Sequence, residues 1–257
     1  MKRILAAAIV TASAFLGAYR LTAQAPAASA TKPTPRTPDG HPDFSGVWWG
    51  GADVGGKGFK AGGKAGETFT SLYNASAQAK AKTLSDKDDP ALGCKNTAFG
   101  TLNVSMYAVG AVAQIVQTPK FMIFLTETYN SFQIVPFDGR PHREDAPPST
   151  RGDAVGHWDG DTFVVDKNNF TDEGWIWAEG RVSFHSDQMH MIERYRRPDF
   201  NHLEIDATLD DPKVLTKPWV VPTQKLVLAP FDQLLELSCS GDATEALIEA
   251  AQGGKKK

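Results

Sequence analysis

Several common resources are scarce in this 257-residue sequence. There are only two cysteines, which excludes a disulfide-dense scaffold and a four-cysteine zinc site. The net charge is only −3, and the basic run at 255–257 reads as a solvated tail. That balance excludes a basic, nucleic-acid-binding surface. After the first 16 residues no apolar stretch is long enough to cross a bilayer. No Gly-Lys-Ser/Thr phosphate loop, dinucleotide fingerprint or Gly-x-Ser-x-Gly elbow occurs. No His-Glu-x-x-His and no two-histidine-one-carboxylate spacing offers a metal site, so neither metal nor cofactor is expected.

What is present begins with an export signal. Met1-Lys2-Arg3 supplies positive charge, and Ile4 to Leu16 is apolar apart from Thr11 and Ser13. Small-residue cleavage patterns follow at Ala23-Gln24-Ala25 and Ala28-Ser29-Ala30. Pro26 disfavours the first, so cleavage is expected after Ala30, with Ala25 as the alternative. Removing residues 1–30 deletes Lys2, Arg3 and Arg20 and no acid, taking the net charge from −3 to −6. The mature product is then expected in the periplasm or outside the cell, free of the membrane. An oxidising compartment favours pairing of Cys94 with Cys239; two buried thiols are the alternative.

Residues 31–43 read as an extended lead-in, 44–252 as a single β-rich domain and 253–257 as the basic tail. Within the domain, 50–66 is a glycine-lysine loop and Glu67 to Leu84 has the spacing of an amphipathic helix. Strands are expected at 44–49, 113–117, 121–128, 132–137, 154–158 and 162–166. Further strands at 189–197 and 203–209 form a hairpin, as do 225–229 and 234–239. A capping-box spacing at Asp242 and Glu245 precedes a short helix over 246–251. Eight or nine hairpin-linked strands with one early helix and a short C-terminal one predict an antiparallel β-barrel or sandwich.

Candidate chemistry rests on a few positions. His185, Asp187, Met189, Met191, Glu193 and Tyr195 share one strand parity, mixing polar and apolar groups as a ligand cavity does. His185 is the expected general acid or base, Glu193 its partner and Tyr129 a secondary acid. Arg140 and His142, in the loop after a strand, would hold an oxygen-rich or anionic group; pinning its own loop is the competing role for Arg140. Asp166 shares parity with Thr162 and Val164 and would face inward. Trp175 and Trp177, in a polar loop, would form a platform over a flat ligand or simply pack over a barrel end. Ser186 adjoins His185, a spacing that does not set its hydroxyl on the imidazole.

The stretch Thr37-Pro38-Asp39-Gly40-His41-Pro42-Asp43-Phe44-Ser45-Gly46-Val47-Trp48 resembles the opening of a family of exported bacterial proteins, abundant in acidobacteria and proteobacteria. Ile115 to Pro119, Asp138-Gly139-Arg140-Pro141-His142 and Val155 to Asp166 continue the likeness. His185-Ser186-Asp187, Glu193-Arg194-Tyr195, Asp210-Asp211-Pro212 and Thr216-Lys217-Pro218-Trp219 complete it. It covers most of 37–240 and implies export, a β-rich fold and cysteines near 94 and 239, but no reaction. The family usually has Arg after the Tyr-Asn step, where this chain has Ser131-Phe132-Gln133; the loop 50–66 also departs from it. Gly46-Val47-Trp48 more weakly resembles the first strand of lipocalin-like (calycin) barrels.

The expectation is thus an exported barrel acting on a small, partly apolar or aromatic molecule by cofactor-independent elimination, isomerisation or hydrolysis. The alternatives are a non-catalytic carrier and a pocketless interaction module.

Overall fold

The computed structural model describes residues 32–50, 67–97, 112–127, 130–176 and 182–236. Contacts divide the chain into two units, residues 1–31 and 32–257, and all of the described residues belong to the second. The expected signal segment, the loop 51–66, the C-terminal helix and the basic tail lie outside the described residues.

Nine strands form one antiparallel sheet. They are β1 (Gly46–Trp49), β2 (Val112–Gln117), β3 (Phe121–Thr126), β4 (Ser131–Pro136) and β5 (Asp153–Asp159). β6 (Thr162–Asn168), β7 (His190–Arg196), β8 (His202–Asp210) and β9 (Trp219–Leu228) complete it. The spatial order is β4-β3-β2-β1-β9-β8-β7-β6-β5. The two outer strands then meet, giving a nearly closed barrel. Gly156 of β5 permits this approach. A Cβ there would sit 2.5 Å from the Phe163 ring and 3.0 Å from Val135 of β4.

Each hairpin follows from turn chemistry and alternation. Asp159-Gly160 turns β5 into β6 with Gly160 at φ +60°, a left-handed conformation glycine tolerates. Along β7, Met191, Glu193 and Tyr195 are buried while His190 and Arg194 are exposed, as the shared parity predicts.

Two expectations are corrected. Among the described residues the hairpin of 225–229 with 234–239 is not seen: β9 is one ten-residue strand between β8 and β1, and 232–236 is irregular. Pro222 sits where the β8–β9 register shifts between Ile205 and Ala207, so the ladder needs no N–H from it. The helix expected over 67–84 shrinks to α1 (Ala75–Ala81), preceded by a 3-10 turn at Thr70–Leu72. Asn74 starts α1 by accepting the Ala77 N–H, and Tyr73 bridges to Leu215 instead of continuing the helix.

Two apolar clusters fill the interior. One holds Phe44, Trp48, Phe124, Phe163, Tyr195 and Leu226. The other holds Phe69, Tyr73, Phe170, Met191, Leu209 and Trp219. Burying these side chains supplies the main driving force, about 1.5–3 kcal/mol for each large apolar residue. Along β6, β7 and β9 the seam between the clusters is polar: Lys167, Glu193 and Gln224 are all buried there.

Candidate functional site

His185 precedes β7 and is only 1% exposed. Its Nδ1 lies 2.9 Å from the Ser186 carbonyl oxygen. A carbonyl only accepts, so Nδ1 carries the proton and donates. Burial is the largest influence on the ring and pushes its pKa below the usual value, favouring the neutral form. In that tautomer Nε2 bears a lone pair. Nε2 is buried and has no hydrogen-bond partner.

The geometry around the imidazole is set by Asp211, itself fully buried. Its carboxylate accepts the Ser186 N–H at 2.7 Å and the Ser186 hydroxyl at 2.7 Å. That clamp fixes the Ser186 peptide, whose carbonyl in turn fixes the His185 tautomer. The Ser186 hydroxyl therefore serves the turn and does not meet the imidazole. Beside His185 lies a cavity of about 120 Å³, lined also by Lys80, Asp172, Phe184, Ser186 and Lys213. The Lys80 ammonium stacks 4.3 Å from the Phe184 ring centroid, and Lys213 pairs with Asp187 at 2.6 Å.

Phe170 links this region to the polar seam. Its ring centre is 6.0 Å from that of His185 and 5.6 Å from the Lys167 Nζ. Lys167 is fully buried on β6, and its Nζ has no hydrogen-bond partner. Desolvation lowers its pKa to about 8, opposed by the Glu193 charge and assisted by that of Arg151. Arg151 is buried too, which brings its guanidinium down to about 10, and it reaches the Ser131 Oγ at 3.4 Å. Glu193 is buried and its Oε1 accepts the Tyr195 hydroxyl at 3.1 Å.

The expected site residues therefore fall into separate groups. Glu193 meets Tyr195; the imidazole of His185 takes its orientation from Ser186, not from Glu193. Arg140 is exposed and grips Asp138 through Nε (2.8 Å) and Nη2 (2.5 Å), holding that carboxyl down at about 2. It pins its own loop and shares no bond with His142 among the described residues. His142 instead bridges two carboxylates, Nδ1 to Asp153 at 2.9 Å and Nε2 to Asp166 at 3.2 Å. His190 reaches the same Asp166 oxygen at 2.7 Å. Asp166 is thus corrected from inward to outward. Phe163, Val165 and Lys167 face the interior, and Asp166 faces the opposite side with His142 and His190.

Trp175 is buried at 5% exposure and bridges to Phe184, so it packs the barrel end and presents no open platform. Tyr129, Trp177 and Cys239 lie outside the described residues. Cys94 ends a 3-10 turn at φ +64°. No group of histidines, cysteines and carboxylates suited to a metal ion occurs among the described residues.

The sequence reading missed Lys167, Arg151 and Asp211. The register could have exposed Lys167, since it continues the Phe163, Val165 parity into the core. Comparison with protein-family models, with curated proteins and with solved structures finds no match to this chain.

Proposed function

We propose that the protein acts on a small, partly apolar molecule by acid–base chemistry at His185, without a cofactor. The carrying observation is the buried Nε2 lone pair, fixed in tautomer by Ser186 and left without a partner beside a cavity. A neutral imidazole in a dry setting is suited to take a proton from a C–H or O–H group and return it elsewhere. Lys80 at the same cavity supplies positive charge toward an oxygen that gains electron density, while Lys213 is paired with Asp187. Phe184 supplies the apolar wall. Elimination, isomerisation and hydrolysis all fit this inventory. Glu193 with Tyr195 takes no part at His185 and belongs to the seam.

The test starts with a small-molecule screen read by thermal stabilisation, since a bound ligand raises the melting temperature. Hits are then assayed for turnover. His185→Ala is expected to lose roughly 10²–10⁴-fold in kcat, the usual worth of a general acid or base. Near-wild-type turnover in a folded His185→Ala protein overturns the reading. The same acceptor nitrogen would serve a carrier; in that case His185→Ala weakens binding and no hit is turned over.

Export belongs to the same proposal. The charged start, the short apolar run and the small-residue patterns of 1–30 support a cleaved signal peptide and a periplasmic or secreted product. The family resemblance and pairing of Cys94 with Cys239 stand as parts of this reading. A mass spectrum of the mature protein checks both cleavage and pairing: a start after Ala30 fixes one terminus, and loss of two hydrogens marks the bridge.

A further inference from the structure

We propose that Lys167 is an amine nucleophile that captures a small aldehyde as an imine inside the barrel. The inference concerns a different group from the acid–base reading and stands independently of it.

The geometry points to an amine without a hydrogen-bond partner rather than to a structural ion pair. A buried ammonium has three N–H donors to satisfy, yet Nζ makes no hydrogen bond. The carboxylate facing it in the seam, Glu193, takes the Tyr195 hydroxyl on one oxygen and makes no bond to Lys167. The charges facing Lys167 are Glu193 and Arg151, of opposite sign, so they offset one another. Among the described residues an aromatic face, Phe170, also lies near, its ring centre 5.6 Å from Nζ. The residue opposite Lys167 on β5 is Ala154, and that opposite Glu193 on β8 is Ala207, so small side chains flank the seam. A desolvated lysine in apolar surroundings is the form that attacks carbonyl carbon.

The step balances without a further reactant. The Nζ lone pair adds to the carbonyl carbon and the C=O bond becomes a C–O bond. Both amine hydrogens end on that oxygen, which departs as water, and a C=N bond remains. The Tyr195 hydroxyl and Glu193 carboxylate are the seam's proton carriers for the departing oxygen.

The test uses the intact protein with acetaldehyde and cyanoborohydride at pH 7, which fixes each imine as an ethylamine, followed by peptide mapping. With a pKa of about 8 against 10.5, Lys167 holds roughly 300-fold more free amine than an ordinary lysine. Burial takes back part of that factor. Lys167 is therefore expected to label at least about tenfold faster than the exposed Lys82 and Lys120. Labelling at Lys167 no faster than at those two, or only after unfolding in urea, overturns the proposal. His185→Ala keeps the Lys167 label, so failure of the acid–base reading and failure of this one are distinguishable.

Discussion

Two sets of charged groups lie on opposite sides of the sheet around β6 and β7. On the outer face, His142, Asp153, Arg143, Asp166 and His190 form a connected rail. Both ring nitrogens of His142 have a carboxylate, and Asp153 also accepts from Arg143 at 2.8 Å. Burial of Asp153 works against its charge, but His142 and Arg143 outweigh it and its pKa falls below the usual range. On the inner face, Lys167 and the nearby His185 hold nitrogens without partners, and both are pushed toward the neutral form. The rail has the residue types usually sought in an active site, but its groups are already committed to one another. In the interior Glu193, Arg151 and Asp211 have partners, whereas Lys167 Nζ and His185 Nε2 have none. On the proposed reading, reactivity would follow the missing partner and burial rather than the density of charged side chains.

The sharpest way to break this contrast is the pair His185→Ala and His142→Ala. The first is expected to remove roughly 10²–10⁴-fold of any turnover and the second to leave it within about twofold. Equal losses would place the chemistry on the rail.

Next in size is the pH dependence of the buried lysine. Its folded pKa, about 8, is below its unfolded value of 10.5. Between those values the unfolded chain binds more protons, so stability rises with pH across the window. Below pH 8 the folded protein carries the full cost of the ammonium, about 3 kcal/mol at about 1.36 kcal/mol per pKa unit. Lys167→Met is expected to be more stable than wild type at pH 7, with the gap closing between pH 8 and 10.5 in urea titrations. A wild type that is the more stable at pH 7 would mean that an anion holds Lys167. His185 shows the milder counterpart. Its lowered pKa means that the unfolded state is protonated first, and stability falls as pH drops below about 6.5.

This asymmetry explains what the sequence made legible. Alternation and turn residues reveal the hairpins, because a half-buried strand must alternate and Asp159-Gly160 must turn. They also reveal that Met191, Glu193 and Tyr195 share a face. Lys167 is hidden because the expected strand stops at Asp166, whereas β6 runs on to Asn168 and carries Lys167 into the core. Asp211 is hidden because Asp210-Asp211-Pro212 enters only as a motif of the family resemblance, with no role attached. Its contact with Ser186 joins segments 25 residues apart, which no local pattern encodes. β9 starts at Trp219, six residues before the expected strand at 225, and its register shift at Pro222 is not encoded by alternation.

Asp211→Ala tests whether the interior arrangement is a positioned one. It strips partners from the Ser186 N–H and hydroxyl, and about 2 kcal/mol of stability is expected to go with them. A purely structural role ends there. A positioning role also frees the Ser186 carbonyl, and nitrogen NMR of His185 would then show a mixture of tautomers in place of one protonated at Nδ1.

The smallest effect belongs to the rail. Asp166→Asn removes a charge that His142 and His190 share, with the carboxylate about one-third exposed and the His190 ring about half exposed. Exposed pairs are worth up to about 1 kcal/mol because water already solvates each partner and holding the side chains together costs entropy. The change is therefore expected to cost less than about 1 kcal/mol and to shrink further at high salt, where surface charges are screened within a few ångströms. Urea titrations at low and high salt read this directly. A loss above about 2 kcal/mol, insensitive to salt, would mean that the rail is as dry as the seam, and the contrast between the two faces of β6 would fail.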